Sequence, residues 1–144
     1  MADVIINEKI PYFGDSATQM ACSESTLRLL IERGVVDMPM EAVKLMSGLH
    51  GCMGYCPNCG AVNGACAAIG ANFGRYEPGT SNATVYRLVK EFMDKFSAQF
   101  GTVKCPELMG DRDEHSDEQL NLCASYVIFA ADTVQKMIEE EKGK

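Results

Sequence analysis

The spacing of apolar residues predicts two long amphipathic helices in the second half of the chain. Between residues 85 and 100, apolar side chains recur every three or four positions, and Gly101 follows as a stop signal. The second helix follows residues 116–119, which have the form of a capping box. The apolar stripes are Val85, Leu88, Val89, Phe92, Met93, Phe96 and Phe100 in the first helix, and Leu120, Cys123, Val127, Ala130, Val134 and Ile138 in the second.

The first half of the chain predicts two shorter helices. One starts near Ser16 or Thr18, in a sequence of capping-box form, and runs to about Arg33, where a glycine follows. The next follows Pro39, because proline suits the first turn of a helix, and it ends near residue 47.

The composition changes in the middle of the chain. Residues 48–59 are rich in glycine and cysteine and are predicted to form a tight loop, since glycine permits backbone dihedrals that other residues resist. Residues 59–70 predict a helix of small residues, with Gly60, Gly64 and Ala67 at helical spacing. Such a face lets another backbone or a cofactor approach closely, so we expect Gly60 and Gly64 to lie against a cofactor or a second subunit.

These elements together predict an all-α fold. The sequence has no strand-like alternation of any length, no internal repeat and no linker long enough to separate two domains. We therefore expect residues 1–144 to form a single domain, a compact bundle of about five helices with a Gly/Cys-rich loop. Residues 1–15 are predicted to form an irregular N-terminal arm.

Charge and hydropathy disfavour several classes of function. The chain carries 20 Asp and Glu against 13 Lys and Arg, a net charge of −7, which disfavours binding to the phosphate backbone of nucleic acids. No stretch approaches the roughly 18 apolar residues of a transmembrane helix, and the N-terminal sequence lacks the basic and apolar regions of a secretory signal. We therefore expect a cytoplasmic protein that binds neither nucleic acid nor a membrane.

Seven cysteines are many for a protein of this length in a reducing compartment, where clustered cysteines bind metals or carry redox chemistry. Cys52, Cys56 and Cys59 lie close together in the predicted loop, and soft thiolates favour zinc, Cu(I) and iron–sulfur clusters. Structural zinc sites usually take ligands in two short pairs, and the sequence has no second pair. Three close cysteines with remote partners are typical of iron–sulfur sites. Cys59 also stands at the start of a predicted helix, whose N–H groups stabilise a thiolate.

Two other interpretations of the cysteines stay open. Cys56 and Cys59 form a CxxC pair, the spacing of thiol–disulfide oxidoreductases, although the strand–helix–strand context of thioredoxin-like proteins is missing. The other interpretation is a zinc or copper protein without redox turnover. We interpret Cys66 as a core residue, His50 as a loop histidine beside the cluster, and His115 as a solvated side chain.

Four of the cysteines match the pattern of a known family. From Cys22 to its end, the chain resembles the small redox-active proteins with the cysteine shorthand C-GCAxxG-C-C. Cys22 matches the first position, residues 59–64 the central signature, and Cys105 and Cys123 the last two positions. In the central signature this chain has Asn58 followed by Cys-Gly-Ala, where the shorthand writes Gly-Cys-Ala.

The resemblance implies an iron–sulfur site and a site-residue set. Related domains in split-Soret cytochromes imply a dimeric assembly, but their haem is not carried over, because this chain has no CxxCH motif. We therefore predict a homodimeric iron–sulfur redox protein with a 4Fe-4S or larger cluster. It would serve electron transfer with a redox partner protein, or cluster-based small-molecule redox chemistry. The predicted ligands are Cys22, Cys59, Cys105 and Cys123 by resemblance, and Cys52 and Cys56 by spacing.

Overall fold

The computed structural model describes residues 20–50, 57–113 and 116–144, and within these ranges the chain is helical. The all-α prediction is confirmed. Extended pairing in the described ranges is limited to an isolated antiparallel bridge between Asn58 and Lys104. In chain order the elements are α1 (Cys22–Glu32), a 3₁₀ helix (Met40–Met46), α2 (Gly60–Phe73), α3 (Ala83–Phe100), α4 (Cys105–Met109) and α5 (Asp117–Lys142).

Some of the sequence predictions fall outside the described ranges. These are the N-terminal arm over residues 1–15, the loop cysteines Cys52 and Cys56, and the solvated His115. The structure says nothing about them, so they stay predictions. The assignment of the whole chain to one domain stays a prediction for the same reason.

Helix α2 lies at the centre of the core, because its small side chains let the neighbouring helices approach closely. It packs against α1, α3 and α5. Its inward face is fully buried over residues 61–69, and the flanking helices add larger side chains to the same core. The fully buried core residues of these four helices include Leu30, Ala61, Val62, Ala65, Ala68, Ile69, Phe92, Phe96, Val127, Ala130 and Val134.

Helix α1 begins at Cys22, which is later than the sequence predicts. The predicted start near Ser16 or Thr18 is wrong, because Ala21 has extended backbone and stands at the N-cap. The Glu24 carboxylate accepts a hydrogen bond of 2.8 Å from the Ala21 backbone N–H. This hydrogen bond from the N-cap residue to a side chain in the first turn caps the helix at Ala21, and Cys22 is therefore its first residue.

The segment after α1 forms a 3₁₀ helix, where the sequence predicts an ordinary helix. Pro39 precedes it, as predicted, but stands at the N-cap instead of in the first turn. Side chains from the two segments hold its end against the start of α1. The Ser23 hydroxyl donates to the Met46 carbonyl at 2.7 Å, and the Ser47 hydroxyl donates to the Glu24 carboxylate at 2.6 Å. Short 3₁₀ helices are common as connectors of this kind.

Helices α3 and α5 confirm the two amphipathic helices. Helix α3 ends at Gly101, whose φ of 91° is a left-handed conformation that favours glycine. Aromatic rings of the two helices pack edge to face: the Phe100 centroid lies 4.7 Å from that of Tyr126 and 5.2 Å from that of Phe129. Among the helices of the described ranges, none has both the length and the apolar character to cross a membrane.

The start of α5 provides a test of the local capping interaction. The Ser116 hydroxyl accepts a hydrogen bond of 3.1 Å from the Gln119 backbone N–H, which is one half of the predicted capping box. We expect Ser116→Ala to lower the free energy of unfolding by about 1 kcal/mol, because this N–H loses its partner. Ser116→Asp, which keeps an acceptor, is the control. Equal stability of all three proteins in urea denaturation would contradict the prediction.

Candidate functional site

Cys59 is the residue around which the candidate site is built. It stands at the N-cap of α2, and only 4% of its surface is exposed. The backbone N–H groups of Ala61 and Val62 donate hydrogen bonds to its sulfur. These are donors from the first turn of the helix, which have no partner within the helix itself. The start of α2 therefore directs positive partial charge at a buried sulfur.

A short pair of extended segments brings Cys105 beside Cys59. The Cys59 N–H donates to the Val103 carbonyl at 2.7 Å, and the Cys105 N–H donates to the Pro57 carbonyl at 2.7 Å. These two hydrogen bonds flank the bridge between Asn58 and Lys104. Two cysteines that are far apart in sequence thus come from backbone segments that are bonded directly to each other.

Gly60 allows Cys22 to approach the same place. A Cβ atom built on Gly60 would overlap the Cys22 sulfur and would lie 2.8 Å from the Ser23 backbone nitrogen. It would also lie 3.1 Å from the His50 Cα atom. The first residue of α1 and the end of the 40–50 segment therefore both lie against the start of α2, and a side chain at position 60 would separate them.

Cys123 reaches the site from the first half of α5. The side-chain nitrogen of Gln119, one turn earlier, donates to the Cys123 sulfur at 3.2 Å. The Arg112 guanidinium donates in turn to the Gln119 side-chain oxygen at 2.8 Å and to the Leu108 carbonyl at 2.6 Å. The side chain of Gln119 therefore lies towards the cysteine, and it does not complete the capping box at Ser116.

The electrostatics of the site link all four of these cysteines. Burial raises the pKa of the Cys59 thiol far above its usual range, and the nearby Cys22 and Cys123 add to that increase. The N–H groups of residues 61 and 62 act in the opposite direction. Burial also raises the pKa of Tyr126, and Cys123, Cys59 and Cys105 raise it further. Cys59 thus lies within electrostatic range of Cys22 and Cys123, and Tyr126 lies within range of Cys123 on its own helix and of Cys59 and Cys105 from other segments.

Most of the chain matches a known family. Residues 20–137 match the family described as "Putative redox-active protein (C_GCAxxG_C_C)". The chain belongs to this family. The resemblance predicted from the sequence is thereby confirmed, and membership of the C-GCAxxG-C-C family supports a redox role. No curated protein and no solved structure matches the chain.

Cys66 lies apart from the four cysteines of the C-GCAxxG-C-C pattern. It is on α2, two helical turns beyond Cys59, and it packs against the hydrophobic core. Burial raises the pKa of its thiol to about 11. The four family cysteines, by contrast, are linked to one another through Cys59 and Tyr126.

The small-residue face of α2 is explained by its contact with α1. A Cβ atom on Gly64 would lie 2.8 Å from the Thr26 Cβ atom and 2.9 Å from the Ser23 carbonyl oxygen. The close approach predicted for Gly60 and Gly64 is therefore present, and its partner within the described residues is the first turns of α1. A contact of either glycine with a cofactor or a second subunit stays a prediction.

Within residues 20–50, 57–113 and 116–144, no three Cys, His, Asp or Glu side chains are placed to hold one metal ion. A single zinc ion needs all its ligand atoms at about 2.0–2.3 Å from one point. This distance condition does not apply to cysteines that ligate different irons of a cluster, because each sulfur contacts its own iron.

The structure adds residues that the sequence analysis did not single out. Gln119 donates to the Cys123 sulfur, and Arg112 donates to Gln119. Tyr126 lies within electrostatic range of three of the cysteines. Gln119 precedes Cys123 by four residues, so their positions on one helix face were a usable signal. Arg112 follows α4 in a polar loop, and nothing in the local sequence indicates its contact.

Proposed function

We propose that the protein binds an iron–sulfur cluster at the four family cysteines and acts as a redox protein. The observation that carries the proposal is the convergence of Cys22, Cys59, Cys105 and Cys123 from four separate segments around the start of α2. When bound, the cluster would accept and release single electrons, either for a partner protein or for a small molecule.

The chemistry of the donors supports a metal centre at Cys59. Its sulfur is buried and receives two backbone N–H donors, and a buried thiolate is costly unless a positive charge compensates it. An iron centre would supply that charge, and hydrogen bonds from backbone N–H groups to sulfur are one of the means by which proteins tune iron–sulfur clusters. The chain's own contribution is to hold the sulfurs in place and to keep water away from the most buried one.

The described residues on either side of the segment that carries Cys52 and Cys56 both lie at this site. On one side, the His50 Cα atom faces Gly60; on the other, the Pro57 carbonyl accepts from the Cys105 N–H. We therefore keep Cys52 and Cys56 in the proposal as further ligands. A 2Fe-2S and a 4Fe-4S cluster each take four cysteines, so six ligands would exceed what either needs. We propose a 4Fe-4S cluster, or a larger one if Cys52 and Cys56 also bind.

The thiol–disulfide alternative receives less support from the geometry of Cys59. Only thiolates attack disulfides, and a nucleophilic cysteine is usually exposed and has a lowered pKa. Cys59 is buried, and its pKa is raised.

We also retain a homodimer and a cytoplasmic location as proposals that follow from the sequence.

Anaerobic purification tests the proposed function. We expect iron and acid-labile sulfide in equal amounts, broad visible absorption, and an EPR signal after reduction with dithionite. A colourless protein with zinc and no sulfide would support a zinc protein without redox turnover. A metal-free protein whose thiol count rises with reductant would support a thiol–disulfide protein. Either of these results would overturn the iron–sulfur proposal.

A further inference from the structure

Gln119 is a buried polar side chain placed between a positive charge and a cysteine of the candidate site. Only 2% of its surface is exposed. Its side-chain nitrogen lies 3.2 Å from the Cys123 sulfur, and its side-chain oxygen lies 2.8 Å from Arg112 Nε. An amide group could turn either its nitrogen or its oxygen towards the sulfur, so the orientation with the nitrogen at the sulfur requires an explanation.

Arg112 explains the orientation of the Gln119 amide. A guanidinium group has only N–H donors, so the atom of Gln119 that faces Arg112 must be the amide oxygen. The NH₂ group is then left facing Cys123, and the orientation follows from hydrogen-bonding chemistry. Arg112 is itself fixed, because its Nη2 donates to the Leu108 carbonyl at 2.6 Å near the end of α4.

We propose that Gln119 is a positioning residue that sets the electron density on the Cys123 sulfur, and that Arg112 acts through Gln119 by fixing its amide. The redox consequence rests on the proposed iron–sulfur function. An N–H group that donates to a ligand sulfur stabilises the more negative, reduced form of a cluster. The wild-type pair therefore raises the reduction potential of the centre that Cys123 holds.

Arg112 could also act on the site by its charge alone, and a double-mutant cycle separates the two mechanisms. Burial and the cysteines raise the pKa of Tyr126, and the Arg112 guanidinium partly offsets that increase, so the charge of Arg112 acts at the site. If Arg112 acts through Gln119, its removal has no further effect once the Gln119 amide is gone. If it acts through charge, the two effects add.

The experiment measures midpoint potentials of the anaerobically purified protein in a dithionite titration followed by EPR. The variants are Gln119→Met, Arg112→Met and the double variant. Gln99→Met, at an exposed position of α3, is the control. Iron and sulfide are counted in each. We expect both single variants to shift to more negative potentials, the double variant to match Gln119→Met, and the control to match wild type. An unshifted Gln119→Met with full iron content, or additive shifts, would overturn the inference.

A second variant covers the case in which Gln119→Met loses its cluster or does not fold. Gln119→Glu keeps the shape of the side chain and leaves an oxygen for Arg112, but its other oxygen cannot donate to the sulfur. We expect it to shift the potential in the same direction as Gln119→Met. A wild-type potential in Gln119→Glu would overturn the inference.

Failure of the iron–sulfur proposal is distinguishable from failure of this one. Wild-type protein without iron overturns the proposed function and leaves a diamagnetic protein, in which the Gln119 side-chain amide is observable by ¹⁵N NMR. We then expect slow solvent exchange of its NH₂ protons in wild type and faster exchange in Arg112→Met. Equal exchange in the two proteins would overturn the role of Arg112.

Discussion

Replacing Cys59 by serine is expected to remove nearly all bound iron and acid-labile sulfide from the anaerobically purified protein. Cys59 is the most buried of the described cysteines and lies within electrostatic range of Cys22 and Cys123. A serine hydroxyl is a harder and much less acidic ligand than a thiol, so it replaces thiolate poorly at a soft metal centre. Iron and sulfide counts and the visible spectrum measure the loss.

Cys66→Ser is the matched control for this prediction. Cys66 lies on the same helix and is also largely withdrawn from solvent, but it packs against the core apart from the four family cysteines. We expect it to keep the wild-type iron content and to lose only a modest part of its stability, because a hydroxyl is placed among apolar groups. Equal iron loss in both variants would show that the loss reflects general unfolding and would contradict a site at Cys59.

Gly64→Ala is expected to destabilise the protein by about 1–3 kcal/mol, the usual cost of overpacking a tight contact. The added Cβ would lie 2.8 Å from the Thr26 Cβ atom and 2.9 Å from the Ser23 carbonyl oxygen. The second of these is a backbone atom of α1, so the strain cannot be relieved by rotating a side chain. Helices α1 and α2 would have to move apart, and thermal unfolding should show a melting temperature lower by about 2–10 °C.

Gly70→Ala, on the same helix, is expected to have the opposite effect. Among the described residues, no atom outside the neighbouring backbone of the helix itself lies within 4 Å of a Cβ built at Gly70, and the residue has helical backbone. Alanine loses less backbone entropy than glycine in a helix, which stabilises the folded state by about 0.5–1 kcal/mol. If both variants changed stability in the same direction, the helix contact at Gly64 would not be the cause of its effect.

The sequence predicted the long helices well, because their signals are local and strong. In α3 and α5 the apolar period extends over several turns, and Gly101 and Ser116 mark one end of each helix. The start of α1 was predicted wrongly, since the signal used there was a short capping-box pattern. The cap that forms in the structure is the carboxylate of Glu24 on the Ala21 N–H, a second pattern a few residues later.

The site was only partly predictable, because its parts meet through tertiary contacts. The local triplet of cysteines is visible in the sequence, whereas Cys22, Cys105 and Cys123 enter the prediction only through the family resemblance. What brings Cys105 to Cys59 is a pair of backbone hydrogen bonds around Asn58, and such pairing has no side-chain signature. The small residues at positions 60 and 64 did indicate a close approach, but not that α1 was the partner.

The hydrogen bonds that flank the bridge between Asn58 and Lys104 allow separation of the two site segments to be measured by hydrogen exchange. The two amides that form these hydrogen bonds belong to Cys59 and Cys105 themselves. Their hydrogens exchange with deuterium only when the two segments separate, whatever the rest of the protein is doing. The exchange rates of these two amides therefore report how readily the two cysteine-bearing segments separate, at the backbone positions of Cys59 and Cys105 themselves.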